Sequence, residues 1–353
     1  QEKEGMNAQY AIVVSNVNEG ANATVQVEKP DGTVVATISA PPKVATIINL
    51  PPFNVVGPQK AKLAYRVSSN LPIVAYQFNP LENVGVYSND ASLLLPTNVL
   101  GRKYLVMSWP HRPTGASGQP LASTFTVVGA EPGVTTVKIR PSAATLAGGG
   151  LPALAAGQEW ETTIEPYEVL NFESAAAWTD LTGSYVEADK RVAVFGGHVC
   201  ANAPLSDCFE GKCRYDTMAC GSNGDCPVVG ACDHLEEQIQ PMGAWGQTYV
   251  VGKTWPRGKA PDFVRVLAAE DGTTVTVSPA VATIPVLAAG QWADFEVMDS
   301  VVITADKPVL VGHYLEGQNA PYAAHQFCED TLFGSKCGGN LFGESCNEDA
   351  DCS

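Results

Sequence analysis

Three stretches of this chain share one local grammar: Ser68–Tyr76 (SSNLPIVAY), Glu187–Phe195 (EADKRVAVF) and Thr304–Gly312 (TADKPVLVG). Each sets Asn or Asp in a polar turn, two add Pro, and all run on into β-branched and small apolar residues. Asn and Asp favour a turn, Pro fixes φ, and the run that follows suits a strand. A phrase used three times predicts an array of related β modules, each ending in a strand that such a turn opens.

Further echoes join the second and third copies. Lys103–Arg112 (KYLVMSWPHR) matches Thr248–Arg257 (TYVVGKTWPR), and Leu151–Trp160 (LPALAAGQEW) matches Ile284–Trp292 (IPVLAAGQW). The second module carries about 28 extra loop residues, Gly148, Gly149 and Gly150 among them. The first is a more distant relative, built on Tyr10–Asn16, Ala23–Gly32 and Thr33–Ile38, with Pro-Asp-Gly as a hairpin turn. Alternation with period two dominates, and one turn near Leu235 is the sole helical candidate. The expected fold is all-β: three repeated antiparallel β-sandwich-like modules with disulfide-rich loop insertions. The expected divisions are module 1 at 1–90, module 2 at 91–200, a Cys-rich lobe and linker at 201–247, module 3 at 248–316 and a Cys-rich tail at 317–353. Asn89–Val106, with an apolar centre between Pro96 and Gly101, reads as a buried connector.

With 353 residues, 45% of them hydrophobic, the chain has enough apolar material for several cores. Its net charge of −16 and lack of a basic stripe argue against nucleic acid and anionic membrane surfaces as partners. No apolar run reaches the roughly 18 residues of a membrane span, and the start reads as the product of signal-peptide removal.

Cysteine usage points the same way. None of the ten precedes Cys200; Cys200, Cys208, Cys213, Cys220, Cys226 and Cys232 crowd together, and Cys328, Cys337, Cys346 and Cys352 follow in the tail. An even count among Gly, Asn and Asp predicts disulfide-stapled loops and a secreted, extracellular or cell-surface protein.

The strings Cys232–Val251 (CDHLEEQIQPMGAWGQTYVV), Gly196–Pro204 (GGHVCANAP) and Asp90–Tyr104 (DASLLLPTNVLGRKY) together resemble the N-terminal domain of IgGFc-binding proteins. The resemblance spans roughly residues 8 to 320. It implies a repetitive, extracellular, non-enzymatic β domain, associated in animals with mucus and, by name, with immunoglobulin. The Cys208–Cys226 insert and its echo at Cys346–Ser353 look like those of bacterial secreted members. Cys200 and Cys232 flank the insert at two of the family strings, which implies that they pair. The loop they close is worth about 3 to 4 kcal/mol on the chain-entropy account. Cys208, Cys213, Cys220 and Cys226 then bond within the lobe, in any of three connectivities.

Each remaining candidate has a plain structural reading beside the chemical one. His198, Cys200, Cys232 and His234 form a tetrahedral zinc set on paper, but thiols in an oxidising compartment pair first. His198 and His313, at matching places in GGHV and VGHY, read as structural hydrogen-bonding residues. His234 with Glu236 and Glu237 has the groups for acid–base work but no nucleophile nearby. Asn347, Asp349 and Asp351 alternate as in the first half of a calcium loop, yet Cys352 takes the place of the required glycine, and Asn223 with Asp225 is a fainter echo. No nucleophile elbow, zincin helix or phosphate loop is present, so no catalytic residue is assigned. Trp109 with Trp255 and Trp160 with Trp292, which recur at equivalent places, read as core or seam, Trp178 as the exposed one, and Asn22 opens a glycosylation sequon.

The resulting expectation is an extracellular, non-enzymatic adhesion or structural protein of a surface or matrix. It would contact a protein or glycan, or another copy of itself, and need no cofactor. The alternative is a ligand-binding module dependent on glycan or calcium.

Overall fold

A computed structural model describes residues 9–82, 89–112, 121–203, 208–209, 211–213, 219–222, 225, 232–254, 261–315, 328–331 and 334–337. Residues 255–260, with Trp255, and 338–353, with the Asn347, Asp349 and Asp351 motif, lie outside them, as do Asn223 and Cys226. The regular structure of the described residues is nearly all strand, in several antiparallel sheets. It divides into two compact units: unit 1 holds 1–200 with 233–244, and unit 2 holds 201–232 with 245–353.

Unit 1 begins with β1 (Tyr10–Asn16), β2 (Ala23–Glu28), β3 (Val34–Ala40), β4 (Ala45–Leu50), β5 (Gln59–Lys62), β6 (Arg66–Ser69), β7 (Ile73–Asn79) and β8 (Asp90–Leu94). A β4-β1-β7-β8 sheet and a β3-β2-β6 sheet close over Ile12, Val14, Val25, Val27, Ile48 and Leu50. Strand alternation supplies this core: even positions of β1 point in, and Val13 and Ser15 point out.

A larger sheet follows, from β9 (Gly101–Leu105), β10 (Ser123–Gly129), β11 (Thr135–Arg140), β12 (Trp160–Ile164), β13 (Glu168–Glu173) and β14 (Tyr185–Ala201). Its order is β12-β11-β14-β10-β13-β5, so β5 leaves the strands around it in sequence to extend the sheet of β13. After the short β15 (Cys208–Phe209) and β16 (Lys212–Cys213), β17 (Asp233–Gln238) returns to pair with β14.

Unit 2 contains β18 (Gly246–Val251), β19 (Asp262–Ala268), β20 (Val275–Ser278), β21 (Trp292–Val297) and β22 (Val301–Leu315), then the hairpin β23 (Cys328–Thr331) and β24 (Gly334–Cys337). Val264, Val266, Val275, Phe295, Val301 and Ile303 are among its core residues.

The repeated phrase has a different place from the one expected. ADKRV and ADKPV lie inside β14 and β22, strands of 17 and 15 residues, and do not open them. Before the phrase, β14 pairs with β9 and β11; beyond it, β14 pairs with β10. β22 changes likewise from β18 and β20 to β19. The corner needs no ladder partner, which is why Pro308 is tolerated there. In the first set the chain does break, between β6 and β7. At all three corners a side-chain oxygen accepts a backbone N–H: Asn70 from Thr24 at 2.7 Å, Asp189 from Thr136 at 2.9 Å, Asp306 from Thr274 at 2.8 Å.

Two smaller expectations also change. Leu235 sits in β17, because its neighbours pair with a strand; the nearby helical turn is a 3-10 turn at Met242–Ala244. Trp178 is half-buried at φ 67°, its N–H donating to the His111 carbonyl at 2.6 Å.

Candidate functional site

A groove of about 2170 Å³ runs through unit 1. One wall is the outward face of β10, β13 and β14, where Thr124, Thr126, Asn171, Phe195 and Val199 alternate with residues of the core. The other is built by the first strand set and its 52–57 and 63–73 segments. β5 ties the two walls together. Lys60 N–H donates to the Gly149 carbonyl at 2.8 Å, Leu63 and Ala64 donate to the Tyr167 carbonyl at 3.1 and 3.2 Å, and the Asn171 amide donates to the Gly57 carbonyl at 2.9 Å.

Glycine and strain make this junction. A Cβ on Gly149 would meet Gln59 Cα at 2.6 Å, so the glycine run serves close approach of β5. Tyr167 stands at φ 65°, a left-handed conformation uncommon for a non-glycine residue, and its hydroxyl donates to Glu28. Burial, then the Glu28 carboxylate, raises the Tyr167 phenol above its ordinary value.

Aromatic rings line one end. Phe53 stacks on Tyr65 at 4.5 Å and 3° between planes, and Tyr10 stacks beyond at 6.2 Å and 15°. The Lys29 ammonium lies 5.9 Å from the Phe53 ring centre. Burial raises the Tyr10 and Tyr65 phenols, so both stay neutral donors; Tyr65 bonds the Pro51 carbonyl at 2.7 Å. Arg66, Arg191, Glu131 and Glu173 add charge around the groove.

β8 and β17 also meet through side chains. Asp90 accepts the N–H groups of Ala91 and Glu236, Ser92 Oγ accepts Gln238 N–H at 2.8 Å, and Gln238 Oε1 accepts Leu95 N–H at 2.7 Å. Burial pushes Asp90 up to about 6, against those two N–H bonds. Glu237 is pushed up to about 7 by partial burial and then by the Asp90 charge, although much of the residue faces solvent. His234 Nε2 lies 3.6 Å from the Glu236 carboxylate. His234, Glu236 and Glu237 lie on a strand and not in the turn expected; His234 and Glu236 approach each other, while Glu237 is exposed, and Asp90 joins them from β8.

The two repeated histidines are not equivalent. His198 lies nine residues beyond its corner Asp189 and pairs opposite Ser123; His313 lies seven beyond Asp306, opposite Val264. The ladder register, fixed at the Asp corners, separates them. His198 is fully buried, accepts Cys200 N–H on Nδ1 at 3.0 Å, and is held neutral by burial and then by the Arg112 charge, down to about 3. In unit 2, His313 Nε2 lies 2.8 Å from Asp262. Asp262, itself buried, also receives Lys253 Nζ at 2.5 Å, Thr254 N–H at 2.8 Å and Thr254 Oγ1 at 2.7 Å. Burial works to raise that carboxyl, but these donors outweigh it and hold it down to about 2.

Around Ser123 the buried hydroxyls serve the scaffold. Ser108 and Ser123 lie 2.8 Å apart, and Ser174 Oγ is 2.8 Å from His111 Nδ1, all four residues being buried. In the lobe, Cys208 bonds Cys220. Cys200, Cys213 and Cys232 are also disulfide-bonded, which removes the thiolates that the zinc reading needs. Asp225 accepts the N–H groups of Gly221 and Ser222 at 2.9 and 2.8 Å, and they lower its carboxyl's pKa. Its oxygen shapes the turn that a calcium ion would otherwise use. Among the described residues no cluster of three or more His, Cys, Asp or Glu is arranged to hold a metal ion.

A sequence model described as IgGFc binding protein matches residues 90–332. The chain belongs to the IgGFc-binding protein family. A human protein named IgGFc-binding protein is 31% identical over 162 residues, which cover 46% of this chain and 2% of that protein. The chain therefore spans a small part of its relative's length. No solved structure matches it. The IgGFc-binding family is a binding, non-catalytic one, and the disulfide-bonded, all-β structure fits an extracellular protein. No helix among the described residues is long and apolar enough to cross a membrane.

Proposed function

We propose that this chain is an extracellular adhesion protein, without catalytic activity, that holds a protein partner in the groove of unit 1. The observation that carries this reading is the groove itself: about 2170 Å³, with carbonyls, amides and aromatic edges along its walls. It is far roomier than the usual volume, roughly 300–1,000 Å³, of a small-molecule pocket, and a volume of that size suits a segment of protein chain. The aromatic stack favours protein over glycan. Tyr65 already has Phe53 and Tyr10 as stacked neighbours, and the Lys29 ammonium lies 5.9 Å from the Phe53 ring centre, so these three rings are partnered within the chain.

The human relative's name makes immunoglobulin Fc the first protein to test. Immobilised Fc, a glycan array and native-surface extracts are the three probes, with wild type beside Tyr65→Ala and Arg66→Glu. Capture of a protein that both variants weaken at least tenfold supports the reading; retention by the variants, or glycan binding alone, overturns it.

Within the lobe we propose the Cys200–Cys232 bond beside Cys208–Cys220. A non-reducing peptide map is expected to return both cross-links, and Cys200 joined to any other cysteine would refute the first.

A further inference from the structure

The wall of the groove formed by β10, β13 and β14 has a counterpart on the first strand set. Register fixes the correspondence. Thr126 pairs opposite Asn171 and Phe195; Val13, one residue from the equivalent core positions, pairs opposite Ile47 and Tyr76. Leu93 continues that row. In the second set this face looks across the groove at the first set, and the edge of β13 is covered by β5. In the first set, Ile47 is 54% and Tyr76 40% exposed, and β4 has no outer strand partner among the described residues.

A second correspondence is conformational. Tyr167, at φ 65°, donates its N–H to the Gly129 carbonyl and offers its own carbonyl to Leu63 and Ala64. Lys43, just before β4, stands at φ 60° and donates its N–H to the Asn16 carbonyl at 2.8 Å. Gly290, before β21, repeats the turn at φ 79° with its N–H on Ala268. Glycine takes this conformation freely; Lys and Tyr do so at a cost. At Tyr167 that conformation presents a carbonyl to an incoming segment. Lys43 keeps it with no such segment described.

We propose that β4, the Lys43 carbonyl and the Val13–Ile47–Tyr76–Leu93 row form the acceptor for an extended segment from another β module of this kind. The occupant resembles Val55–Ala64: apolar residues to lie on the row, then an extended run that adds a strand to β4 as β5 does to β13. Strand addition satisfies the edge's backbone groups, and apolar side chains laid on the row take its exposed surface out of water. A second copy of this chain is not the donor, because its own β5 is already placed in its own sheet. This interface is separate from the groove, and its failure would leave the groove reading untouched.

The test uses the full chain with a second copy of residues 51–64 joined ahead of Gln1 by a flexible linker. Gln9 already bonds the Leu50 carbonyl at 3.1 Å, so a short linker reaches β4. Such a tether gives an effective concentration in the millimolar range. Amide exchange at residues 45–50 is expected to slow by about tenfold or more. Ile47→Lys, on an exposed face, is expected to abolish that protection while exchange in β13 stays unchanged. Unaltered exchange at β4, or protection that survives Ile47→Lys, overturns the proposal. So does concentration-dependent dimerisation of the unfused chain that Ile47→Lys removes, since the row would then be a self-association face.

Discussion

The pair Gly196 and Gly197 shows how a single residue type sets what this fold allows. A Cβ on Gly196 would fall 1.8 Å from the Met107 carbonyl oxygen, and one on Gly197 2.3 Å from that of Leu235. Backbone cannot move aside as a flexible side chain does. Gly196→Ala is expected to destabilise the chain by about 2 kcal/mol or more in a denaturant titration, as overpacking does. Gly20→Ala, with nothing within 4 Å, is expected to be near neutral. Asp262 is the second such residue. Asp262→Asn leaves the Lys253 ammonium with a weaker acceptor and is expected to cost about 3 kcal/mol. Because the folded carboxyl is held down to about 2 from 3.8, its stabilisation is complete above about pH 4 and disappears as pH falls toward 2. An acid titration of wild type and Asp262→Asn would converge at the low end.

At the scale of elements, the corners carry most of what the sequence revealed and most of what it hid. Asn70, Asp189 and Asp306 were visible as a repeated phrase, and alternation around them correctly gave strands. That β14 and β22 continue through the phrase was not visible, because local propensity describes an extended chain and not the strand it pairs with. Replacing each acid or amide by Ala leaves an exposed N–H at Thr24, Thr136 or Thr274 without its side-chain acceptor. The expected loss is about 0.5 to 1 kcal/mol at each corner, read from urea midpoints, and similar at all three. Markedly unequal losses would mean that the corners do different work. The left-handed turns at Lys43 and Tyr167 were equally hidden, since only Gly290 of the three announces such a conformation in its residue type.

The whole molecule adds what no local reading supplies. The groove draws its walls from residues as far apart as Tyr10 and Gln238, and β5 joins a sheet whose other strands begin decades of residues later. The all-β class was legible in alternation, disulfide bonding in cysteine usage, and the family in its separated strings; the site depends on contacts with no sequence period. The two units should also answer differently to pH. In unit 1 the folded carboxyls of Asp90 and Glu237 are raised, to about 6 and about 7, so the folded state binds protons that the unfolded chain has released. Their contribution is fully present below about pH 4 and is lost as pH rises through those values. Exchange-detected stability of β8 and β17 is therefore expected to rise from pH 7.5 to pH 5. The strands around Asp262 should show no matching gain from that residue, and equal gains in both units would remove Asp90 and Glu237 as the cause.

The donation of β5 has a mechanical meaning. Proteins exposed to flow are pulled along their length, and parts that merely touch can be peeled apart one contact at a time. Here the first strand set is stitched into its neighbour by a strand four residues long, from Gln59 to Lys62, lying against Asn171 to Glu168. To part them, tension must draw β5 out of the sheet and break the bonds to Gly149 and Tyr167 with it. Pulling the two strand sets of unit 1 apart is therefore expected to require the loss of β5 from its sheet first.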